Sequence, residues 1–305
     1  MAHDRLLRFF LDPDLHAAAT SGGHNFLNRL ASVLQDGGYQ LEYHLDDDNG
    51  LRLAHRDDGA YNLFHMRHPI GPRALVFRRV YQYPFWAIEP SAERWHWRVA
   101  KTAFNPESID PDEAARFTRF WRKKLFDRAQ PCPKGQGFLY IPMQRRLTEH
   151  RSFQSCAPVD MVEKVLNLDP RPVVAAMAPK KSYDANDHAA LTALAERYPQ
   201  LTVTIGGMEK YLSTCDAVIT QNSAVAFNGY FLEKPAVLFA EIDFHHIALD
   251  ARTDPAAALA ALGTHAPDYE KYLYWFWQVM SINAGKPTAN DAIRDAILRA
   301  GWPLD

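Results

Sequence analysis

The sequence predicts an α/β protein built from two doubly wound halves, and three observations carry that prediction. Buried-looking apolar runs alternate with amphipathic helices along nearly the whole chain. The segment from Ala217 to Leu238 reads as strand, small polar turn, helix and second strand, the unit from which parallel sheets are made. A Pro- and Gly-rich stretch, Ala129-Gln130-Pro131-Cys132-Pro133-Lys134-Gly135-Gln136-Gly137, interrupts the alternation, which then starts again.

In chain order, Leu6 to Leu11 is a first strand, and Ser21-Gly22-Gly23-His24-Asn25 is a glycine-containing turn. Phe26 to Gln35 is a helix with Phe26, Leu27, Leu30, Val33 and Leu34 on one face, ended by Gly37-Gly38. Tyr39 to Leu45 alternates as a strand does, and Tyr61 to Met66 is another strand, followed by a Pro-punctuated segment through Pro90. Pro111 to Phe126 is a helix. In the second half the predicted strands are 138–142, 173–177, 201–205, 217–219 and 236–239, and the helices are 159–168, 187–198 and 208–213. Tyr269 to Val279 is densely aromatic, and Asn290 to Arg299 is a closing helix. The expected division is a first Rossmann-like domain over 1–128, a linker over 129–137, a second Rossmann-like domain over 138–265, and a helical tail over 266–305 that returns to the first domain and braces both.

Composition narrows the function. The chain has 305 residues, 47% of them apolar and 23% charged, as in soluble globular proteins. A formal charge of −2 argues against a dedicated nucleic-acid binder. No apolar run approaches the ~20 residues needed to cross a bilayer, and the first residues carry no signal-peptide pattern. Cys132, Cys156 and Cys215 are odd in number and far apart, so neither a disulfide framework nor a metal knuckle is expected. A cytoplasmic location with at most peripheral membrane association follows as an expectation.

Ligands of doubly wound sheets sit at the carboxyl ends of the strands, where helix N-termini also gather. This directs attention to Asn222, Ser223 and Ala224 after the strand 217–219, to Gln144 and Arg145 after 138–142, to Lys180 after 173–177, and to Glu241 after 236–239, with Arg151 as a further cation. Such residues suit a phosphate or sugar hydroxyls, while Asn222 and Ser223 are also ordinary helix caps. In the first half His24 occupies the corresponding place, flanked by Gly22, Gly23 and Asn25. An imidazole there has a pKa suited to accepting a proton, and capping is the alternative. Adjacent His245 and His246 diverge in an extended chain and predict no metal site. Asp46-Asp47-Asp48-Asn49-Gly50 fails calcium-loop spacing and reads as a solvated turn. The arginines and aromatics between Arg67 and Lys101 suit an anionic glycan, or else a core with arginines reaching outward.

These residues resemble a family. Tyr140-Ile141-Pro142-Met143-Gln144, and the run from Cys215-Asp216 through Asn222-Ser223 to Lys234-Pro235-Ala236-Val237, are similar to the capsular-polysaccharide-biosynthesis glycosyltransferases, the group that includes Kdo-transferring capsule enzymes. The similarity covers roughly residues 137 to 250. Where that family carries a basic-His-Pro motif, this chain reads Met177-Ala178-Pro179-Lys180-Lys181-Ser182, keeping the proline and lacking the histidine. The resemblance implies a GT-B fold, with two Rossmann-like domains facing a cleft. It implies transfer of sugar from a nucleotide-sugar donor to a surface polysaccharide or other glycan; the residues themselves suggest His24 as base and no metal. A non-catalytic glycan- or nucleotide-binding relative and a sugar-nucleotide epimerase are the alternatives.

Overall fold

The computed structural model describes residues 5–126, 135–180 and 183–305. Most of the predicted linker, Cys132, and Lys181-Ser182 lie outside the described residues. The chain begins with β1 (Arg5–Leu11), α1 (Pro13–Thr20), α2 (Asn25–Asp36), β2 (Tyr39–Leu45) and α3 (Asp48–Ala54). It continues with β3 (Tyr61–His65), β4 (Ala74–Arg79), β5 (Phe85–Glu89) and the single turn α4 (Arg98–Lys101). Then come α5 (Pro111–Phe126), β6 (Leu139–Pro142), α6 (Pro158–Leu168), β7 (Val173–Met177), α7 (Ala185–Arg197), β8 (Leu201–Ile205) and α8 (Met208–Thr214). After these follow β9 (Ala217–Thr220), α9 (Ala224–Tyr230), β10 (Ala236–Leu238), β11 (Leu249–Asp250), α10 (Pro255–Ala260) and α11 (Tyr269–Tyr274). A π-helical turn over Trp275–Val279, β12 (Ile282–Asn283) and α12 (Ala289–Arg299) complete the chain.

These elements form two compact units. One holds Met1–Thr102 and Phe276–Asp305, the other Ala103–Trp275. The first division therefore falls after Thr102 rather than at 128. Helix α5 belongs with the second unit, where the hydroxyl of Tyr274 donates to Glu113 at 2.5 Å. The aromatic run is divided too: Tyr269 to Trp275 lie in the second unit, Phe276 and Trp277 in the first.

In the first unit the sheet order is β12-β5-β4-β3-β1-β2, with β1 to β4 parallel, β5 antiparallel to β4, and β12 antiparallel to β5. The alternation of β1 sends Leu7, Phe9 and Leu11 into a core shared with Phe26, Leu30 and Leu34 of α2 and Ile293 and Ile297 of α12. Phe10 faces the other way with Phe64 and Ala54. On that face Arg8 is buried and holds Asp58 through two contacts of 3.1 and 2.6 Å. Strands β4 and β5 occupy the Pro-punctuated segment in which the sequence suggested none.

The acidic cluster at 46–50 also differs from expectation. It opens α3 instead of forming a solvated turn, with Asp47 accepting the Gly50 N–H at 2.8 Å as an N-cap. Glycine is required at position 50 because a Cβ there would lie 2.0 Å from the carbonyl oxygen of Leu45.

In the second unit the order is β11-β10-β9-β6-β7-β8, all parallel. The apolar runs that predicted these strands form one core. It holds Leu139, Ile141, Val173, Ala175, Ala217, Ile219, Val237 and Phe239, covered by Met161, Val162 and Val165 of α6 and Leu191 and Leu194 of α7. Cys156 and Cys215 are buried free thiols. Among the described residues no helix is long and apolar enough to cross a membrane.

Candidate functional site

Each sheet has one place where the chain reverses the direction in which it adds strands. In the second unit this lies between β6 and β9: β7 and β8 are added on one side of β6, then β9, β10 and β11 on the other. Loops leaving a parallel sheet at such a point diverge to opposite faces and leave a crevice. Gln144 follows β6 and Asn222 follows β9, so the topology brings them to that crevice. There the backbone N–H of Asn222 points at Gln144 Oε1, 3.5 Å away, and Asn222 Nδ2 donates to the carbonyl of Glu241, also at 3.5 Å. Both contacts lie at the limit of hydrogen-bond length, weak ties that a better acceptor would displace.

Ser223 adopts the capping alternative. Its hydroxyl accepts the N–H of Val225 at 3.3 Å, and its own N–H donates to Thr220 Oγ1 at 3.3 Å. Ala224, exposed, is the first residue of the seven-residue helix.

The loop between β6 and α6 closes over this edge. Ser155 donates its N–H to Phe239, Glu241 donates its N–H to Phe153, and Gln221 Nε2 donates to Cys156 at 3.0 Å. Arg151 belongs to this loop. Its guanidinium carbon lies 4.8 Å from the centre of the Phe153 ring, and its Nε and Nη2 are enclosed without a hydrogen-bond partner. Burial pushes its pKa below the ordinary arginine range. Arg146 adds to that effect and Glu149 opposes it. Donor nitrogens enclosed without partners are costly unless an acceptor meets them.

The other predicted residues of this edge are spread along it. Arg145 is exposed and, with Arg146, Glu149, Asp184 and Asp187, lines a cleft of about 300 Å³. Arg146 takes a left-handed backbone, φ 62°, and pairs with Glu149 at 3.2 Å. Lys180 is exposed beyond β7 and joins neither Asn222 nor Ser223 among the described residues. The carboxylate of Glu241 faces Arg252 at 3.4 Å. His245 and His246 do not diverge. They lie in a 3₁₀ turn that stacks their rings, centroids 4.3 Å apart at 20°, with His246 Nδ1 at 3.1 Å from the Tyr272 hydroxyl. Among the described residues no three His, Cys, Asp or Glu side chains gather as a metal-holding group.

In the first unit Gly22 and Gly23 close α1 by donating to the carbonyls of Ala19 and Ala18. Gly22 needs its freedom, with φ of 69°. Asn25 is bound into the structure, its amide donating to Ala284 O at 2.8 Å and to the Tyr83 hydroxyl at 3.3 Å. His24 is the N-cap of α2: its Nδ1 accepts the N–H of Leu27 at 3.2 Å, and its ring stands edge-on to Trp86, centroids 5.4 Å apart. Burial lowers its pKa, with Arg79 adding to the effect. The cap bond uses the Nδ1 lone pair, so the neutral ring carries its proton on Nε2 and has no second lone pair for an incoming proton. That geometry does not suit a base.

The same edge holds a pair the sequence did not single out, Asp12 and His65, 3.0 Å apart. Between Arg67 and Lys101, Phe85, Trp86 and Trp97 are core residues, and Arg67 and Arg73 are tied to Asp46 and Gly59.

No protein-family profile and no curated protein matches the sequence. Solved structures do. The KpsC β-Kdo 2,7-transferase of Thermosulfurimonas dismutans superposes with a TM-score of 0.53 at 11% identity, over 97% of this chain and 100% of that one. The wall teichoic acid polymerase TagF gives a TM-score of 0.34 at 13% identity, over 98% of this chain and 89% of that one. The UDP-GlcNAc 2-epimerase of Neisseria meningitidis, bound to UDP-GlcNAc, gives 0.36 at 11% identity, over 97% and 100%. Likeness at such identity speaks to architecture alone. Two units, each with a mostly parallel six-stranded sheet flanked by helices, give this chain the α/β fold of the GT-B glycosyltransferases.

Proposed function

We propose that the protein is a glycosyltransferase that moves a sugar from a nucleotide-linked donor to a glycan acceptor, in the assembly of a surface or capsular polysaccharide in the cytoplasm. The observation that carries this reading is the enclosed, unpartnered guanidinium edge of Arg151, in the loop that closes over the Gln144–Asn222 crevice. A phosphate group supplies what that edge lacks: oxygens that accept from Nε and Nη2 in the fork geometry arginine favours. The weak bonds of Asn222 leave its backbone N–H and side-chain amide ready to turn to the same ligand. Ser223 and Ala224 border the crevice, while Arg145 and Lys180 add positive charge along the edge. Glu241, paired with Arg252, is the group we assign to sugar or ribose hydroxyls.

Glycosyl transfer needs its leaving phosphate neutralised. The proposed donors of that neutralisation are these protein groups, with no metal ion. The turn Gly22-Gly23 and Asn25 is assigned to the acceptor side. The fold shared with KpsC supports the reaction class.

The test is nucleotide release from a panel of CMP-, UDP- and GDP-sugars, each with and without glycan acceptors. Release that depends on acceptor and yields an extended glycan is the expected result. Conversion of a donor to its epimer without acceptor, or a ligand-induced rise in Tm with no release from any donor, would overturn it.

A further inference from the structure

The reversal point of the first sheet lies between β1 and β3, since β2 is added on one side of β1 and then β3 on the other. Asp12 immediately follows β1, and His65 is the last residue of β3. The register pairs Phe10 with Phe64, so the two strands deliver both side chains to the crevice where open α/β sheets bind ligands.

The bonding there fixes a tautomer. Asp12 Oδ1 accepts the N–H of Leu15 at 3.0 Å, and its Oδ2 faces His65 Nδ1 at 3.0 Å. Burial pushes the Asp12 carboxyl up, but the hydrogen bonds from Leu15 and His65 outweigh it and hold the group below its usual range. An ionised carboxylate only accepts, so Nδ1 carries the imidazole proton and Nε2 keeps a free lone pair. The His65 side chain is 17% exposed, packed against Phe77 and Trp86 with centroids at 5.2 and 6.4 Å, and no described residue bonds to Nε2. Burial lowers the pKa of His65. Asp12 opposes this, while Arg78 and Arg79 of β4 push the same way as burial. His24, the N-cap of α2, also packs against Trp86 and has the opposite tautomer.

The backbone marks the same edge. Met66, directly after His65, and Tyr81, after β4, take φ of 61° and 65°, a left-handed conformation uncommon for non-glycine residues.

We propose that His65, oriented by Asp12, accepts the proton of the acceptor hydroxyl, an inference that rests on the glycosyl-transfer reading above. His65 is the catalytic residue and Asp12 a positioning residue. The acceptor oxygen bonds to the anomeric carbon, and the bond from that carbon to the phosphate oxygen breaks. Its electron pair leaves with the nucleotide. The acceptor's proton passes to His65 Nε2 and from there to solvent.

Asp12→Asn tests the orientation without removing the cap, because Asn caps helices as well as Asp does. Its oxygen stays on Leu15 N–H, which turns the NH₂ toward His65 Nδ1 and moves the ring proton to Nε2. D12N should fold with a near wild-type Tm and bind nucleotide normally, yet lose kcat by about 10²-fold or more, the range for losing a general base. His65→Gln should lose a similar factor, and with it the acid limb of the pH profile, which lies below the ordinary histidine value in the wild type. Long-range ¹H–¹⁵N spectra should show the wild-type ring protonated on Nδ1.

Wild-type transfer with undiminished kcat in D12N and H65Q overturns the dyad and leaves the transfer reading standing. A wild-type enzyme that extends no glycan from any donor overturns both. An Nε2-protonated His65 in the wild type overturns the dyad with no assay of turnover.

Discussion

Arg151→Met deletes the charge and the donors of the guanidinium but keeps a long, unbranched side chain against Phe153, whose ring the guanidinium carbon now faces at 4.8 Å. A thioether packs well on such a ring. In the wild type, Nε and Nη2 are enclosed and unpaired. A buried donor left unpaired costs about 1–3 kcal/mol, and exchanging an uncompensated cation for an apolar side chain recovers an amount of that order. Ligand-free R151M should therefore be more stable than wild type by about 1–3 kcal/mol, a rise in Tm of roughly 2–4 °C for each kcal/mol. Binding should move the other way. Charge-assisted hydrogen bonds contribute about 1.5–3 kcal/mol, so R151M should bind nucleotides roughly 10- to 150-fold more weakly. Urea unfolding of the free protein and calorimetric titration with CMP and UDP measure the two quantities separately. A variant that loses stability while keeping wild-type nucleotide affinity would show Arg151 to be a packing residue with no part in binding.

Glu89 ends β5 and accepts the N–H of Arg98 at 3.1 Å. Burial pushes its pKa from 4.5 up to about 7, although that bond and the charges of Arg299, Arg98 and Lys101 oppose the shift. The folded state then holds a proton that the unfolded chain has already released, so stability falls as pH rises from 4.5 to about 7, by an amount on the order of 3 kcal/mol. Glu89→Gln should flatten that slope in urea unfolding followed across pH, and an unchanged slope would assign it elsewhere. Gly50→Ala, normally stabilising in a helix by about 1 kcal/mol, should instead destabilise, because its Cβ meets the Leu45 carbonyl at 2.0 Å; thermal unfolding reads the sign. Trp277→Ala removes a ring stacked on Phe85 at 4.6 Å and an Nε1–H donated to Val80 O at 3.1 Å, so it should cost about 3–5 kcal/mol in chemical denaturation.

The second unit was legible because parallel strands buried on both faces are written as unbroken apolar runs. Val173 to Met177 was read residue for residue on that ground, and so was Leu201 to Ile205, an edge strand with Thr202 and Ile205 exposed. Helix α2 was legible from its periodic face. Strands β4 and β5 were not, because Pro72, Pro84 and Pro90 surround them and arginines end β4. The acidic run at 46–50 hid a helix start, since the same residue types favour turns and caps.

At the candidate site, residues directly after apolar strands were readable as an edge, and Gln144 and Asn222 do meet there. What each would bond to was not readable. His24 looked free to act as a base and proved to spend its Nδ1 on Leu27. Asp12 and His65 are 53 residues apart, and only the order of β1 and β3 in the sheet makes them neighbours. The signal available was modest: an acid one residue past one strand and a histidine closing another.

In the proposed reaction a nucleotide-linked sugar places its phosphate at the crevice between β6 and β9. Crystals soaked with CMP, UDP and GDP in competition test it most directly. One nucleotide should bind there, its phosphate oxygens at about 2.7–2.9 Å from Arg151 Nε and Nη2 and in reach of the Asn222 amide. A nucleotide bound elsewhere, with Arg151 still unpaired, would contradict it.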